Sequence, residues 1–262
     1  MSDPVPANPN GVGASPLRKE DARHLAGRGR FVADIPFERG LEAAIIRSPV
    51  AHGILKSVDP GDVPAGCRVF TARDFPEIQP IRAVPRVPGF KASDFPIFAT
   101  DKVRYVGQPI GMCVAPTAAE AEDIAQRVFV DVEELPAIVD TREATTRTDP
   151  LLHESWGDNI FIERDVAGGD IDTARTTAEI TVINEFRLNR HAAIPLENRS
   201  VLAVWDSRRD ELTLNLSSQG PHLMRVGIAE CLGLKERQLR VVSPDVGGGF
   251  GSKNRLMPEE VM

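Results

Sequence analysis

Ser243-Pro-Asp-Val-Gly-Gly-Gly-Phe-Gly-Ser-Lys-Asn254 is the stretch that decides the fold, and it sets four glycines within five positions directly after a short β-branched strand, residues 238–242. Glycine is costly to order, so this run indicates a backbone that closely approaches another group. Main-chain N–H groups at the end of a strand can converge on an anion. The stretch therefore favours a loop that binds phosphates or other acceptors, and the alternative is a purely structural turn.

Two common nucleotide-binding motifs do not fit this loop. A P-loop requires Gly directly before Lys and Ser or Thr directly after it, whereas Lys253 stands between Ser252 and Asn254. A dinucleotide fingerprint that begins at Gly247 requires its third glycine where Ser252 stands. The spacing thus excludes both of these nucleotide sites.

The composition is that of a soluble globular protein with one large core or two smaller ones. The 262 residues are 42% hydrophobic and 26% charged, and every apolar run falls short of the roughly 20 residues that cross a bilayer. The first residues lack a basic leader and an apolar core, so we expect a draped tail, no signal peptide and a cytoplasmic location. The net charge of −7 argues against a nucleic-acid partner.

The cysteines and histidines do not indicate a metal or disulfide site. Cys67, Cys113 and Cys231 are odd in number and contain no C-x-x-C pair, and the latter two lie in apolar segments, which favours core positions. Three histidines without ligand spacing make a metal site improbable: His52, His191 and His222.

The first half of the chain reads as mixed α and β. Four strand-like segments are 41–47, 53–58, 69–72 and 104–114, the last with a bend at 107–109. Thr117 as N-cap and Glu120 at N3 predict a capping box for a helix through about Arg127, and a strand follows over 129–133. The proline-rich residues 76–98 predict a long irregular loop over the surface.

The second half begins with loop-like sequence over 135–172, where a turn at 168–170 precedes a short helix. Further predictions are a strand over 179–189, a hairpin of 200–205 with 211–216, and a helix from Pro221 to about Gly233. Pro258 followed by two acids is typical of a helix start. The chain ends one turn later, so we expect further polypeptide to complete that helix.

A wider order of elements surrounds the glycine loop. Gln219-Gly-Pro-His222 precedes the predicted helix, the strand and the loop. This order resembles the molybdenum-binding large subunit of the xanthine dehydrogenase, aldehyde oxidase and carbon monoxide dehydrogenase family. Four segments of the N-terminal half resemble the same subunit: Arg18-Lys-Glu-Asp21, Leu25-Ala-Gly-Arg-Gly-Arg-Phe31, Arg47-Ser-Pro-Val-Ala-His52 and Tyr105-Val-Gly-Gln-Pro109. The resemblance extends over almost the whole chain.

The fold that the resemblance implies is α+β. A mixed α/β hammerhead domain is followed by the first, incomplete part of the molybdenum-cofactor-binding domain. The expected boundaries are an N-terminal tail over 1–20, the hammerhead domain over 21–142, a linker over 143–172 and the start of the molybdopterin-binding domain over 173–262.

The resemblance also implies roles for the loop residues. Gln219 approaches the molybdenum centre, the backbone of Gly248, Gly249 and Gly251 contacts the cofactor, and the ring of Phe250 packs beside the metal without ligating it. From the residues alone two plainer interpretations stay open. Gln219 could be a helix-entry residue bonded to nearby backbone, and Phe250 could be a core anchor that holds the loop down.

Two further residues are weaker candidates for the substrate pocket. Glu197 could act in acid–base chemistry, but a Glu two residues from Arg199 favours a structural ion pair, and the resemblance implies that it supports the site. Asn254 stands where purine-oxidising members carry Glu, which argues against a purine substrate. No catalytic residue is expected in this chain, because the family's general base lies further downstream.

The activity that the resemblance implies is the insertion of a water-derived oxygen into a C–H bond of an aldehyde or N-heterocycle. The expected cofactor is molybdenum-molybdopterin in its cytosine dinucleotide form. The expected partners are the remainder of the molybdenum subunit, a small subunit with [2Fe–2S] clusters and a medium subunit with FAD, and the isolated chain is expected to be inactive. The alternatives are a non-catalytic assembly or pterin-binding module and an unrelated phosphate-ligand-binding α/β protein.

Overall fold

The computed structural model describes residues 11–83 and 87–262, which fold into two α/β parts. The strands of the first part are β1 Glu42–Arg47, β2 Gly53–Asp59, β3 Arg68–Thr71, β4 Ile81–Arg82, β5 Asp94–Phe95, β6 Lys102–Val103, β7 Pro109–Ala115 and β8 Phe129–Glu134. Six of these strands form two three-stranded antiparallel sheets with strand orders β1-β7-β3 and β6-β2-β8. The α-helices of the first part are α1 Asp21–Leu25 and α2 Ala118–Arg127.

Helix α2 covers one face of the first sheet, and Thr117 is its N-cap as the sequence predicts, although the Glu120 carboxylate bonds the Thr117 hydroxyl and does not complete a capping box. The Thr117 hydroxyl oxygen accepts a hydrogen bond from the Glu120 N–H at 3.2 Å and donates to the Glu120 carboxylate at 2.9 Å. The apolar face of the helix buries Ala121 and Ile124 against Cys113 and Ala115 of β7. The predicted strand over 104–114 begins only at Pro109, because residues 105–107 turn and the Gln108 side chain accepts from the Arg104 N–H at 2.7 Å.

The second part is built on a β-α-β unit that leads into the glycine loop. Antiparallel β9 Val201–Asp206 and β10 Glu211–Leu216 form the predicted hairpin, and β11 Leu239–Val242 pairs in parallel with β10. The crossover is α5 Pro221–Leu232, which begins with Pro and ends at Gly233 in the left-handed conformation, φ +66°. Residues 243–254 therefore leave the carboxyl end of β11 beside the carboxyl end of β10.

Short helices connect these elements. Between the two parts lie α3 Thr141–Thr146 and α4 Ile171–Thr177, which begin at the capping residues Asp140 and Asp170. The 3₁₀ turns are Val32–Asp34, Ala72–Asp74, Glu154–Trp156, Glu236–Gln238 and Pro258–Glu260. Within residues 11–83 and 87–262, no helix combines the length and the apolar character that a membrane crossing requires.

The proline-rich loop differs from the prediction of a surface loop. It contains the short β4–β5 pair, and its end carries Ile97 and Phe98, each only 2% exposed, into the largest core. That core also contains Leu216 from β10 with Met224 and Ile228 from α5. Ile97 and Phe98, directly after Pro96, therefore pack the first part against the second. Residues 84–86 of the predicted loop lie outside the described residues.

The prediction of a strand over 179–189 is wrong. The segment is irregular, and apolar side chains such as Ile180, Val182 and Phe186 are at least three-quarters exposed. Alternation of apolar and polar residues produces a strand only where a neighbouring strand supplies the hydrogen bonds. Among the described residues, this segment has no such neighbour.

Phe98→Ala should destabilise the protein by about 3–5 kcal/mol, because a large cavity would open in the core that joins the two parts. Phe129→Ala is the matched control, since Phe129 is 64% exposed and its loss should change the free energy of unfolding by less than about 0.5 kcal/mol. Urea titration of both variants checks this, and equal losses would contradict the role given to Phe98.

Candidate functional site

The glycine loop holds its backbone in an uncommon conformation. Gly248, Phe250 and Gly251 have φ of +98°, +49° and +85°. Positive φ is inexpensive for glycine but uncommon for phenylalanine, so the loop is shaped by its surroundings. The N–H groups of Gly248, Gly249 and Phe250 have no hydrogen-bond acceptor among the described residues. Three successive unpaired N–H groups, in a backbone whose φ alternates in sign, form a concave surface that suits an acceptor-rich ligand.

Gln219 contacts this loop directly. Its side-chain Oε1 accepts from the Gly251 N–H at 3.1 Å, and its main-chain N–H donates to the Lys253 carbonyl at 3.0 Å. A Cβ at Gly249 would lie 2.7 Å from the Gln219 Cγ and closer still to its amide, so any other residue there would displace the Gln219 side chain. Gln219 thus stands at the entry to α5 and bonds nearby backbone, as the plainer interpretation expects, although α5 itself receives no side-chain cap from the described residues. Its approach to a molybdenum centre stays a prediction.

Phe250 is not a core anchor. Its side chain is 77% exposed, and a Cβ at Gly248 would lie 3.0 Å from its ring. The ring therefore lies over Gly248 on the outer side of the loop. The backbone φ of Phe250 is +49°, and its side chain is not covered by the described residues. Its position beside a metal stays a prediction.

Glu197 ties the two ends of the loop together. Its Oε2 accepts from the Gly247 N–H at 2.7 Å, the Ser217 hydroxyl at 2.7 Å and the Lys253 ammonium at 3.0 Å. Burial raises the pKa of Glu197, but the bonds from these three donors outweigh it and leave the pKa below its ordinary value. The carboxylate is therefore ionised at neutral pH and acts as an acceptor that joins the two ends of the loop. Its place in a substrate pocket stays a prediction.

The ion pairing around Glu197 differs from the prediction. Arg199 pairs with Glu260 and donates to the carbonyls of Ser252 and Arg255, the latter at 2.9 Å, while Glu197 pairs with Lys253. Burial raises the pKa of Glu260. Sequence proximity is therefore misleading here, because Glu197 and Arg199 have separate sets of partners.

Asn254 lies at the exposed end of the loop. A Cβ at Gly220 would lie 3.6 Å from the Asn254 Oδ1, so the amide stands beside the start of α5. Gln219, Gly249, Gly251 and Asn254 thus come together at the carboxyl edge of the β10–β11 pair, and Glu197 lies beneath them.

Sequence reasoning missed the arm that braces the loop from the N-terminal half. Asp245 forms a bidentate ion pair with Arg23 of α1 and accepts a hydrogen bond from the Arg30 N–H at 2.6 Å. The Arg23 hydrogen bonds, followed by that of the Arg30 N–H, lower the pKa of Asp245 to about 2. An acid two positions before the first glycine is a signal that the sequence offers, but its partner 222 positions away cannot be read from the sequence. Lys253 was likewise missed as the buried partner of Glu197.

The described residues contain no cluster of three or more His, Cys, Asp or Glu side chains that could hold a metal ion. Cys67, Cys113 and Cys231 are free thiols. Burial raises the pKa of Cys113 and Cys231, and both lie in hydrophobic clusters, which confirms their predicted core positions.

Two family models match the chain. The aldehyde oxidase and xanthine dehydrogenase a/b hammerhead domain matches residues 26–136, and the molybdopterin cofactor-binding domain matches residues 152–262. The chain is 35% identical over 98% of its length to the nicotine 6-hydroxylase large subunit of Paenarthrobacter nicotinovorans. It is 30% identical over 92% of its length to the carbon monoxide dehydrogenase large chain of Hydrogenophaga pseudoflava.

Solved structures agree with these matches. Quinoline 2-oxidoreductase from Pseudomonas putida 86 superposes on 95% of the chain with a TM-score of 0.88 at 33% identity. Reconstituted carbon monoxide dehydrogenase from Oligotropha carboxidovorans superposes on 96% with a TM-score of 0.81 at 30% identity. The chain spans about a third of each relative: 32% and 31% of the two sequences, and 32% and 33% of the two structures.

The chain belongs to the molybdopterin-binding large subunits of the xanthine dehydrogenase, aldehyde oxidase and carbon monoxide dehydrogenase family. It corresponds to their N-terminal portion, with the hammerhead domain followed by part of the cofactor-binding domain.

Asp245→Asn should lower stability most at neutral pH. The pKa of this group falls in the folded state, so its contribution is present above the ordinary value of 3.8 and is lost as the pH falls towards 2. The difference in urea midpoint between wild type and variant should therefore shrink from pH 6 to pH 3. In an Arg23→Gln background the same substitution should have little effect, and a pH-independent difference would contradict this account.

Proposed function

We propose that this chain is the N-terminal part of the large subunit of a molybdenum hydroxylase, which inserts a water-derived oxygen into a C–H bond of an N-heterocycle. The single observation that supports this most directly is the run of unpaired N–H groups at Gly248, Gly249 and Phe250 beside the Gln219 amide. The family supplies the cofactor class, and the loop supplies a surface that suits it.

The residues present fit the cofactor on two counts. The loop offers main-chain donors without a protein acceptor, and at Gly251 nothing lies within 4 Å of the place where a Cβ would stand, so a ligand could approach the backbone there. When bound, the molybdenum cofactor supplies the two-electron redox chemistry. The protein's part would be to bind and orient: the Gly248–Phe250 amides would hold acceptor atoms, and the Gln219 amide, whose Nε2 has no acceptor among the described residues, contacts the same loop at Gly251.

The substrate class follows from the relatives and from Asn254. Two relatives are named for nicotine and quinoline, and both compounds are N-heterocycles. Asn254 places an exposed amide at the end of the loop, where it can both donate to and accept from a heterocycle, whereas a carboxylate can only accept. An N-heterocycle is therefore favoured over an aldehyde, and a purine is disfavoured.

The remaining parts of the proposal concern the assembly. The cofactor is the cytosine dinucleotide form, and electrons pass to a [2Fe–2S] small subunit and an FAD medium subunit in the cytoplasm. The domain limits are a tail over 1–20, the hammerhead domain over 21–142, a linker over 143–172 and the cofactor domain from 173. The family models support the order of the two domains, and the match to the cofactor-binding domain begins at residue 152.

Gln219→Ala in the complete enzyme should lower kcat by about tenfold to a thousandfold while molybdenum content and Tm stay nearly unchanged, because one preorganised hydrogen-bonding group is lost. Gln238→Ala is the control, since that amide bonds the Lys235 N–H at 3.1 Å and Asp210 at 2.7 Å away from the loop. Turnover per bound molybdenum and thermal melting are measured together. A lowered Tm with normal turnover would show that Gln219 is only structural.

Gly249→Val should reduce the molybdenum content of the complete enzyme severalfold, because the added side chain would displace the Gln219 amide that lies against this Cα. Gly168→Val is the control, since nothing lies within 4 Å of a Cβ at that position. Elemental analysis of the purified variants checks this. Wild-type molybdenum in the Gly249→Val protein would mean that the loop is only a turn.

A further inference from the structure

The lysine of the glycine loop is directed into the protein. Its side chain is 0% exposed, and the ammonium lies 3.0 Å from the Glu197 Oε2. A buried ammonium is strongly unfavourable unless it is paired, and replacing such a pair by apolar residues is often neutral or stabilising. Packing alone therefore does not account for a lysine at position 253.

One carboxylate oxygen joins three segments of the chain. Glu197 precedes β9, Ser217 follows β10, and Gly247 and Lys253 stand at the two ends of the glycine loop. The loop ends are therefore fixed to each other and to the edge of the sheet through one atom. The other oxygen, Oε1, is buried and has no hydrogen-bond partner among the described residues, so the carboxylate is held from one side only.

The same lysine controls the position of Gln219. Its carbonyl accepts the Gln219 N–H at 3.0 Å, and the Gln219 Oε1 accepts the Gly251 N–H at 3.1 Å. A shift of Lys253 would therefore move both the main chain of Gln219 and the loop that the Gln219 side-chain amide contacts. We propose that the buried Glu197–Lys253 ion pair is a positioning device that fixes the Gln219 amide and the Gly248–Phe250 donors relative to each other. This rests on the proposed function of the loop.

The first test is amide hydrogen exchange of the protein without cofactor, so it stands independently of the proposed function. Lys253→Met should speed exchange at Gly247 and Gly251, whose N–H groups are bonded to Glu197 and Gln219, by at least about tenfold. Lys102→Met is the matched control, because Lys102 is another buried lysine, with 5% side-chain exposure and a 2.6 Å ion pair to Glu154, in the first part of the chain. Unchanged exchange of the loop in Lys253→Met would overturn the proposal.

The second test separates positioning from stability in the complete enzyme. Lys253→Met should lower kcat per bound molybdenum by about tenfold to a hundredfold with little change in KM, because the donors are misplaced. Glu197→Gln keeps an acceptor for Gly247 and Ser217 and serves if Lys253→Met does not fold. The double variant Glu197→Gln/Lys253→Met removes the unpaired buried charge, so it should recover Tm but not turnover.

The outcomes remain distinct. Recovery of turnover together with Tm in the double variant would reduce the pair to a structural contact and overturn the proposal. Lys102→Met should lose Tm and keep its kcat per molybdenum, and a loss of turnover there as well would also count against a specific role for Lys253. If wild-type enzyme binds no molybdenum, the proposed function of the loop fails, and the exchange experiment alone decides the positioning.

Discussion

The structure of the candidate site depends on one constraint, the convergence of three donors on the Glu197 Oε2. A glycine-rich loop left to itself has many conformations, and its free N–H groups would find solvent or other carbonyls. With Gly247 and Lys253 held to the same oxygen, the intervening residues can keep three donors unpaired on their outer face. The loop with its unpaired donors is thus joined to the sheet through a buried carboxylate, which accounts for the polar groups inside an otherwise apolar edge of the sheet.

A second clamp makes the site a joint product of both parts of the chain. Asp245 binds Arg23 and the Arg30 main chain of the N-terminal arm, and a Cβ at Gly247 would lie 3.4 Å from the ring of Phe31. Ile97 and Phe98 enter the core that supports β10 and α5. The hammerhead part therefore positions the cofactor part through both charged and apolar contacts. The loop cannot be understood from the β-α-β unit alone.

Local signals in the sequence predicted local structure well. Thr117, Pro221 and Gly233 mark helix ends because their effects act within one turn, and the 201–216 hairpin follows from alternation and a polar turn. The predictions that failed depend on distant partners. Residues 179–189 have the pattern of a strand and no neighbour among the described residues, and Phe250 looks apolar enough for a core but sits at positive φ. The partner of Glu197 lies 56 positions away, not two, so no short window reveals it.

The inward direction of Lys253 also determines the electrostatics of the site. In a P-loop the lysine faces the phosphates, and its charge is available to the ligand. Here the ammonium is neutralised by Glu197 and wholly buried, and Arg199 is paired with Glu260 beneath the last turn. Any attraction of the loop for an anionic ligand would therefore come from the dipoles of the Gly248–Phe250 amides and not from a side-chain cation of the loop. Dipoles that are fixed from below require little reorganisation when a ligand arrives, which is the condition under which such donors are most effective.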